Sequence, residues 1–303
     1  MKLDNIFKIF ALISSIIVIL IPFSILITLY VESNLAISEF GIGFLFNTTW
    51  DPVKEEFGGL VPILGTIFSS TIALSLAVIM AFAIAIFITE LCPPFLKNIF
   101  RAIFELLAAI PSIIYGIWGL FVLVPIMKNY VEPFLIKNLG FIEIFNGQPL
   151  GIGLLTASIV LSIMIIPYIS SMTIDVFLLV PNVFRESAYA LGATRFEVIK
   201  NVVIPYTKSG ILAGIILGLT RALGETMAVT FVIGNLYKIP KNIYEPTITI
   251  ASSLANEFTE ATTDLYLSSL FYLVFILFFI SFIIIAISRF LIYKLQKWER
   301  ESF

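Results

Sequence analysis

Two residues of opposite charge stand four apart inside an otherwise apolar run, Arg221 and Glu225. On a helix that spacing lets a guanidinium and a carboxylate reach each other, although arginine first is the less favoured order. A charge at mid-membrane depth costs roughly 2.5–3.5 kcal/mol and must face protein or water. Two chemistries fit the pair. It is either an internal ion pair that locks helices together, or a positive site on the path of an anion, where the planar fork of arginine suits phosphate oxygens. Gly214, Gly218 and Ala222 recur every four residues beside it and predict a small-residue face for close helix packing.

A second constellation lies upstream, from Pro181 to Pro205. Pro181 suits a helix start, and Gly192 suits the left-handed residue that ends a helix. Thr194 with Glu197 three residues on reads as a capping box. Pro205 is expected to stop the second helix. Phe196, Ile199 and Val203 would share one apolar stripe, with Arg195 and Lys200 off it. Such an elbow either docks in a groove of another protein or lies on the membrane with its basic residues at the headgroups.

Several chemistries are excluded. The chain has no histidine, so no side chain titrates near neutral pH without a strong shift. One cysteine, Cys92, gives neither an internal disulfide nor a thiolate metal cluster. No lysine follows a glycine, so no phosphate-gripping P-loop is present. No metal site, cofactor or catalytic nucleophile–base pair is expected, and no basic patch points to nucleic acid.

The elements that position these residues are membrane helices. Of 303 residues, 59% are hydrophobic and 13% charged, with a mean hydropathy of +1.06. Soluble domains run at ~45–50% apolar and ~25% charged. Spanning helices need roughly 20 apolar residues, and six are expected, near 9–31, 61–88, 102–126, 152–174, 210–234 and 267–287. The first is longer than the roughly 7–15 residues of a signal-peptide core and reads as a retained anchor. Pro22, Pro111 and Pro167 fall inside spans and should kink them. All of residues 1–303 form one transmembrane domain, with a cytoplasmic loop at 175–208 and no internal repeat.

Basic residues set the orientation. With the amino terminus inside, the inner segments hold twelve: Lys2, Lys8, Lys97, Arg101, Arg185, Arg195, Lys200, Lys208, Arg289, Lys294, Lys297 and Arg300. The outer loops hold five: Lys54, Lys128, Lys137, Lys238 and Lys241. Both termini are therefore expected in the cytoplasm. Glu90 and Glu105 read as headgroup-level charges near Lys97 and Arg101. Trp50, Trp118 and Trp298 read as interface anchors, and Asp51-Pro52 as a turn.

The loop resembles the EAA loop of ABC-importer permeases. Glu186-Ser187-Ala188, Gly192, Val202, Ile204 and Pro205 stand at that motif's spacing, with Ser187, Val202 and Ile204 as small or volume-similar departures. The run from Gly218 to Val229, which contains Arg-Ala-Leu-Gly-Glu-Thr, is similar to the phosphate branch, the PstC-type permeases. So are Trp50-Asp51-Pro52, Thr89-Glu90-Leu91, the run from Glu105 to Ser112, and Tyr115-Gly116-Ile117-Trp118-Gly119. The resemblance implies an all-α, six-helix type I importer permease with MetI-like architecture, no catalysis of its own, and a cell-membrane location. Its implied partners are a dimer of ATP-binding subunits, a second homologous permease subunit, an extracytoplasmic phosphate-binding protein, inorganic phosphate and membrane lipid. It implies that Glu186, Ser187, Ala188, Gly192, Ile204 and Pro205 couple to the ATPase, and that Arg221 and Glu225 matter for transport. A permease for molybdate or sulfate would share the loop, and an ion-gradient-driven transporter would need no ATPase. Reporter fusions at Glu197 and Glu56 should report opposite sides of the membrane; the same side for both would contradict the six-span topology.

Overall fold

A computed structural model describes the chain from residue 2 to residue 302, with side chains from residue 7 to residue 294. Lys2, Lys297, Trp298 and Arg300 of the charge and anchor expectations lie outside the described side chains. Six helices are long and apolar enough to cross a membrane. The chain forms two compact units, residues 1–60 with 256–280, and residues 61–255 with 281–303.

In the first unit, α1 (Lys2–Glu32) carries Pro22 without breaking. After it come α2 (Asn34–Phe40) and a two-stranded hairpin, β1 (Trp50–Asp51) and β2 (Glu56–Phe57). The Asp51 carboxylate accepts from the Val53 and Lys54 amides, so Asp51-Pro52 is a turn. Trp50 is not simply an interface anchor. Its Nε1–H donates to Glu257 Oε2 at 2.6 Å, the Tyr266 hydroxyl donates to the same oxygen at 2.7 Å, and the Phe57 ring packs against both, edge-on to Trp50 and stacked on Tyr266.

The second unit opens with α3 (Leu60–Ile86), which ends in a π-helical turn, Phe87–Leu91. α4 (Pro94–Ala109) stands apart from the third span. That span is not at 102–126: α5 (Ser112–Trp118), α6 (Val124–Ile126) and α7 (Glu132–Leu139) run on through π turns at residues 119–123 and 127–131, giving Ser112–Leu139. The cause is Pro111. It lacks an N–H and pushes the residue before it out of the helical region, and Ile110 is extended (φ −65°, ψ 128°). The carbonyls freed at the end of α4 are covered by hydroxyls: Tyr115 donates to Leu107 O and Tyr168 to Ala108 O, both at 2.8 Å.

α8 (Leu154–Leu178) is the buried axis of this unit and contains Pro167 without a break. α9 (Asn182–Ala190) and α10 (Arg195–Val198) form the elbow. A π turn at residues 199–203 then leads without interruption into α11 (Ile204–Leu223). Pro205 therefore does not stop the second helix; it sits in the first turn after the π bulge, whose widened ladder tolerates a missing N–H.

The fifth span also differs from its expected bounds. The helix ends at Leu223, not residue 234. α12 (Met227–Thr230) follows after Gly224, Glu225 and Thr226, and α13 (Ile250–Glu257) resumes after an irregular stretch. Non-helical backbone survives at membrane depth only where protein covers it, and here the start of α8 does so. The amides of Gly153, Leu154 and Leu155 donate to the carbonyls of Val232, Glu245 and Ile243. The orphan donors of one helix end thereby satisfy the acceptors of the loop. Gly153 and Gly65 have no room for a Cβ, which would fall 2.1 Å from Tyr244 O and 2.0 Å from Ile248 O. The sixth span, α14 (Asp264–Ser302), closes the chain.

α11 packs on α8 through its glycines, as the four-residue recurrence predicts. A Cβ on Gly218 would lie 2.6 Å from Ile169 Cγ1, and one on Gly210 would lie 2.4 Å from Val176 Cγ1. Gly218→Val should therefore separate the two helices at a cost of about 1–3 kcal/mol, read as a lowered unfolding midpoint of the detergent-solubilised protein relative to Leu217→Val on the exposed face.

Candidate translocation and coupling sites

Arg221 lies in the last turn of α11. A cation there is favoured by the unpaired carbonyls of a helix C-terminus. Its guanidinium carbon sits 4.7 Å from the centroid of the Tyr168 ring. That ring is held in place because its hydroxyl is committed to Ala108 O. Stacking on an aromatic occupies one face of a guanidinium and leaves its in-plane donors available; Nε is buried and has no hydrogen-bond partner.

Glu225 is on a different element. It follows the C-cap Gly224, is 8% exposed, and accepts at 3.2 Å from the Ala228 amide in the first turn of α12. An i, i+4 ion pair on one helix, one of the two readings that the sequence leaves open, is thus not formed, because the helix ends between its two members. Each charge is served locally instead, the cation by a helix C-terminus and an aromatic face, the carboxylate by a helix N-terminal amide. Beside this break an open groove of about 650 Å³ runs along α11 from Thr207 to Thr220, closed by Ser288 and Arg289 of α14; Arg221 does not line it.

At the other end of α11 the elbow is built as its sequence predicts at three points. Pro181 precedes α9 as its N-cap. Gly192 adopts φ +85°, with nothing within 4 Å of where a Cβ would stand, so its requirement for glycine is conformational. Thr194 and Glu197 form the reciprocal capping box, with Glu197 Oε2 accepting from the Thr194 amide at 2.7 Å. The expected stripe is not as drawn. Val198, Ile199 and Val203 are buried, whereas Phe196 is 70% exposed. The π turn adds a residue to the ladder and rotates the helix before Ile199 away from the register that a regular period assumes. Val183, Phe184, Tyr189, Leu191 and Phe196 are left exposed across the elbow.

Beneath it, Ala85, Ile88, Phe177, Val180, Val198, Val203 and Ile211 form an apolar core. Ala188, Ala193 and Ile204 pack against that core, and Glu186, Ser187 and Pro205 are exposed. Arg185 enters the same region. It donates to Glu90 Oε1 at 2.6 Å and to Phe177 O at 2.7 Å. Glu90 is therefore an ion-pair partner of the elbow rather than a headgroup-level charge. Glu105 bonds Arg101, which also reaches Asp175.

Near the start of α8, a buried Glu132 accepts from the Gly151 amide at 2.9 Å. Burial, with the Glu132 charge beside it, pushes the Tyr244 hydroxyl above the usual tyrosine range. The Lys241 amide holds the Glu245 carboxyl below the usual carboxylate range, with Lys238 and Lys241 adding to the effect. Among the described residues no three His, Cys, Asp or Glu converge as metal ligands.

A sequence profile described as "Binding-protein-dependent transport system inner membrane component" matches residues 81–298. Over 297 residues the chain is 50% identical to the phosphate transport system permease protein PstC of Mesorhizobium japonicum, covering 97% of this chain and 91% of that one. The chain belongs to the PstC permease family. The Haemophilus influenzae PstC is 46% identical, over 97% of this chain and 95% of its own. A probable PstC of Methanocaldococcus jannaschii is 37% identical, over 98% and 95%. In fold the chain is similar to a chain of the inward-facing MetNI methionine ABC transporter, with TM-score 0.56 over 82% of this chain and 99% of that one at 15% identity. The architecture is that of a type I ABC importer permease, an all-α, multi-pass membrane component of a transporter.

In this PstC-family fold the two candidate sites do not come together. From Ile204 to Arg221 is 17 residues of helix, or ~25 Å. Three further residues carry much of the geometry without having stood out in the sequence. Tyr168 had a weak signal, a tyrosine directly after the mid-span Pro167. Arg185 and Glu132 had none, since each draws its partner from a distant segment.

Proposed function

We propose that this chain is the permease subunit of an ATP-driven importer of inorganic phosphate and forms half of its pore. The observation that carries the reading is Arg221, stacked on Tyr168 at the broken fifth span with donor capacity to spare, in a chain about half identical to proteins named phosphate permeases. The arginine fork offers two in-plane donors to a tetrahedral oxyanion. A second, homologous permease subunit completes the pore, and an extracytoplasmic phosphate-binding protein delivers the ion.

The elbow is the docking element for a dimer of ATP-binding subunits, with both termini of the chain on the same cytoplasmic side. Its exposed apolar side chains suit a groove, and its capping box and left-handed Gly192 hold their presentation fixed. Glu186 and Ser187 face outward for that contact, Ala188 seats α9 on the apolar core, and Ile204 and Pro205 join the elbow to α11. ATP-driven closure of the partner subunits moves the elbow, the elbow moves α8 and α11, and the pore alternates between its two sides. The permease itself performs no covalent chemistry; its residues orient the anion and change its access.

Arg221→Gln should abolish phosphate uptake, normalised to membrane protein level, while the subunit still assembles. The Arg221→Gln/Glu225→Gln pair should stay inactive, because removing both charges restores no positive site; recovery in the double variant would leave a helix clamp only. At the elbow, Gly192→Asp forces a side chain into a left-handed backbone and sets a charge among apolar contacts. The subunit should remain in the membrane with much less ATPase co-purifying. Co-purification at wild-type yield with normal uptake would exclude the loop as the docking element.

A further inference from the structure

Moving the elbow moves α8 directly, because only residues 179–181 separate α8 from α9. No such short link ties the elbow to α3. We propose that the Arg185–Glu90 ion pair is the strut that transmits elbow movement to the second span, with both residues acting as positioning residues for transport. The inference rests on the reading that the elbow docks on an ATPase.

One guanidinium ties three elements. Arg185 on α9 donates from Nη1 to Glu90 in the π turn that ends α3, and from Nη2 to Phe177 O in the last turn of α8. The side chains of Arg185 and Glu90 are 17% and 7% exposed, so solvent and salt screen the pair little. The Arg101 pairs with Glu105 and Asp175 differ: their side chains are 43–59% exposed and they link α4 to itself and to α8, leaving the elbow out. Lys97 steadies the same π turn by donating to Thr89 O at 2.6 Å.

The apolar core under the elbow cannot do the same task. Hydrophobic contact is non-directional, so Val198 and Val203 can slide against Ala85 and Ile88 without a restoring angle. A charge-assisted hydrogen bond from a planar fork fixes both distance and direction. The pair is also a poor choice for stability alone. Arg185 Nε is buried without a partner, and a buried ion pair with an unsatisfied donor commonly gains nothing over apolar packing. π turns at residues 87–91 and 199–203 adjoin the elbow core, giving the backbone deformable points at which a pull changes helix direction.

The test uses the full complex in vesicles, with both permease subunits, the ATPase and the binding protein, and reads phosphate accumulated per ATP hydrolysed. Glu90→Gln keeps the volume and one acceptor but removes the charge. Arg185→Lys keeps the charge but cannot fork. For Glu90→Gln the ATPase should co-purify at wild-type stoichiometry and still hydrolyse ATP, while uptake per ATP falls about tenfold; Arg185→Lys should fall between that variant and wild type. An unchanged ratio in both variants overturns the strut. So does a parallel loss of uptake, hydrolysis and membrane protein, which marks a purely structural pin. A wild-type chain that retains no ATPase would refute the docking reading itself, and with it the strut, an outcome distinct from normal wild-type coupling with unaffected variants.

Discussion

A backbone amide or carbonyl left unpaired in hydrocarbon costs several kcal/mol, and much of this fold follows from how the chain meets that constraint where its helices break. The fifth span stops at Leu223 and, apart from the single turn of α12, the backbone runs irregularly to Ile250. Its carbonyls at Val232, Ile243 and Glu245 are taken up by the first amides of α8. The break after α4 is closed in another way, by the hydroxyls of Tyr115 and Tyr168 on Leu107 O and Ala108 O. Because Tyr168 is anchored there, its ring is fixed under Arg221. The hydrogen-bond closure of one helix end thus sets the environment of the charge at another.

The same constraint separates Arg221 from Glu225. An unbroken helix would place them one turn apart and let them neutralise each other. The stop at Leu223 gives each its own helix terminus, so the cation is stabilised without spending all its donors on a carboxylate. At the far end of α11 the elbow makes a different use of charge. Arg185 and Glu90 are matched directly and shielded, which suits transmission of force rather than capture of an ion.

The sequence showed the class of fold and the elbow more clearly than the breaks. Hydropathy finds spans by composition, and the six apolar helices follow from it. The capping box at Thr194 and Glu197 and the left-handed Gly192 were legible because their determinants lie within a few residues. The effects of Pro111 and Pro205 were not. Pro22 and Pro167 lie inside continuous helices, Pro205 sits in a continuous helix behind a π turn, and Pro111 divides two helices. Local sequence is alike at these sites; the difference lies in which distant groups cover the freed carbonyls. Residues 224–234 are apolar enough to read as span, and the bond from the Gly153 amide, 79 residues earlier in the chain, to Val232 O shows how a backbone that leaves the helix there is satisfied. Phe196 was misplaced by the π turn, whose extra residue no regular period anticipates.

We propose that Arg221 meets the transported anion while Glu225 holds the helix start beside it. A cryo-electron microscopy map of the assembled complex, trapped with phosphate in the pore, tests this most directly. Phosphate oxygens should lie within hydrogen-bond distance of the Arg221 guanidinium, which stays over the Tyr168 ring, with Glu225 on the Ala228 amide. A map in which Arg221 is paired with Glu225 and phosphate is bound elsewhere would contradict it.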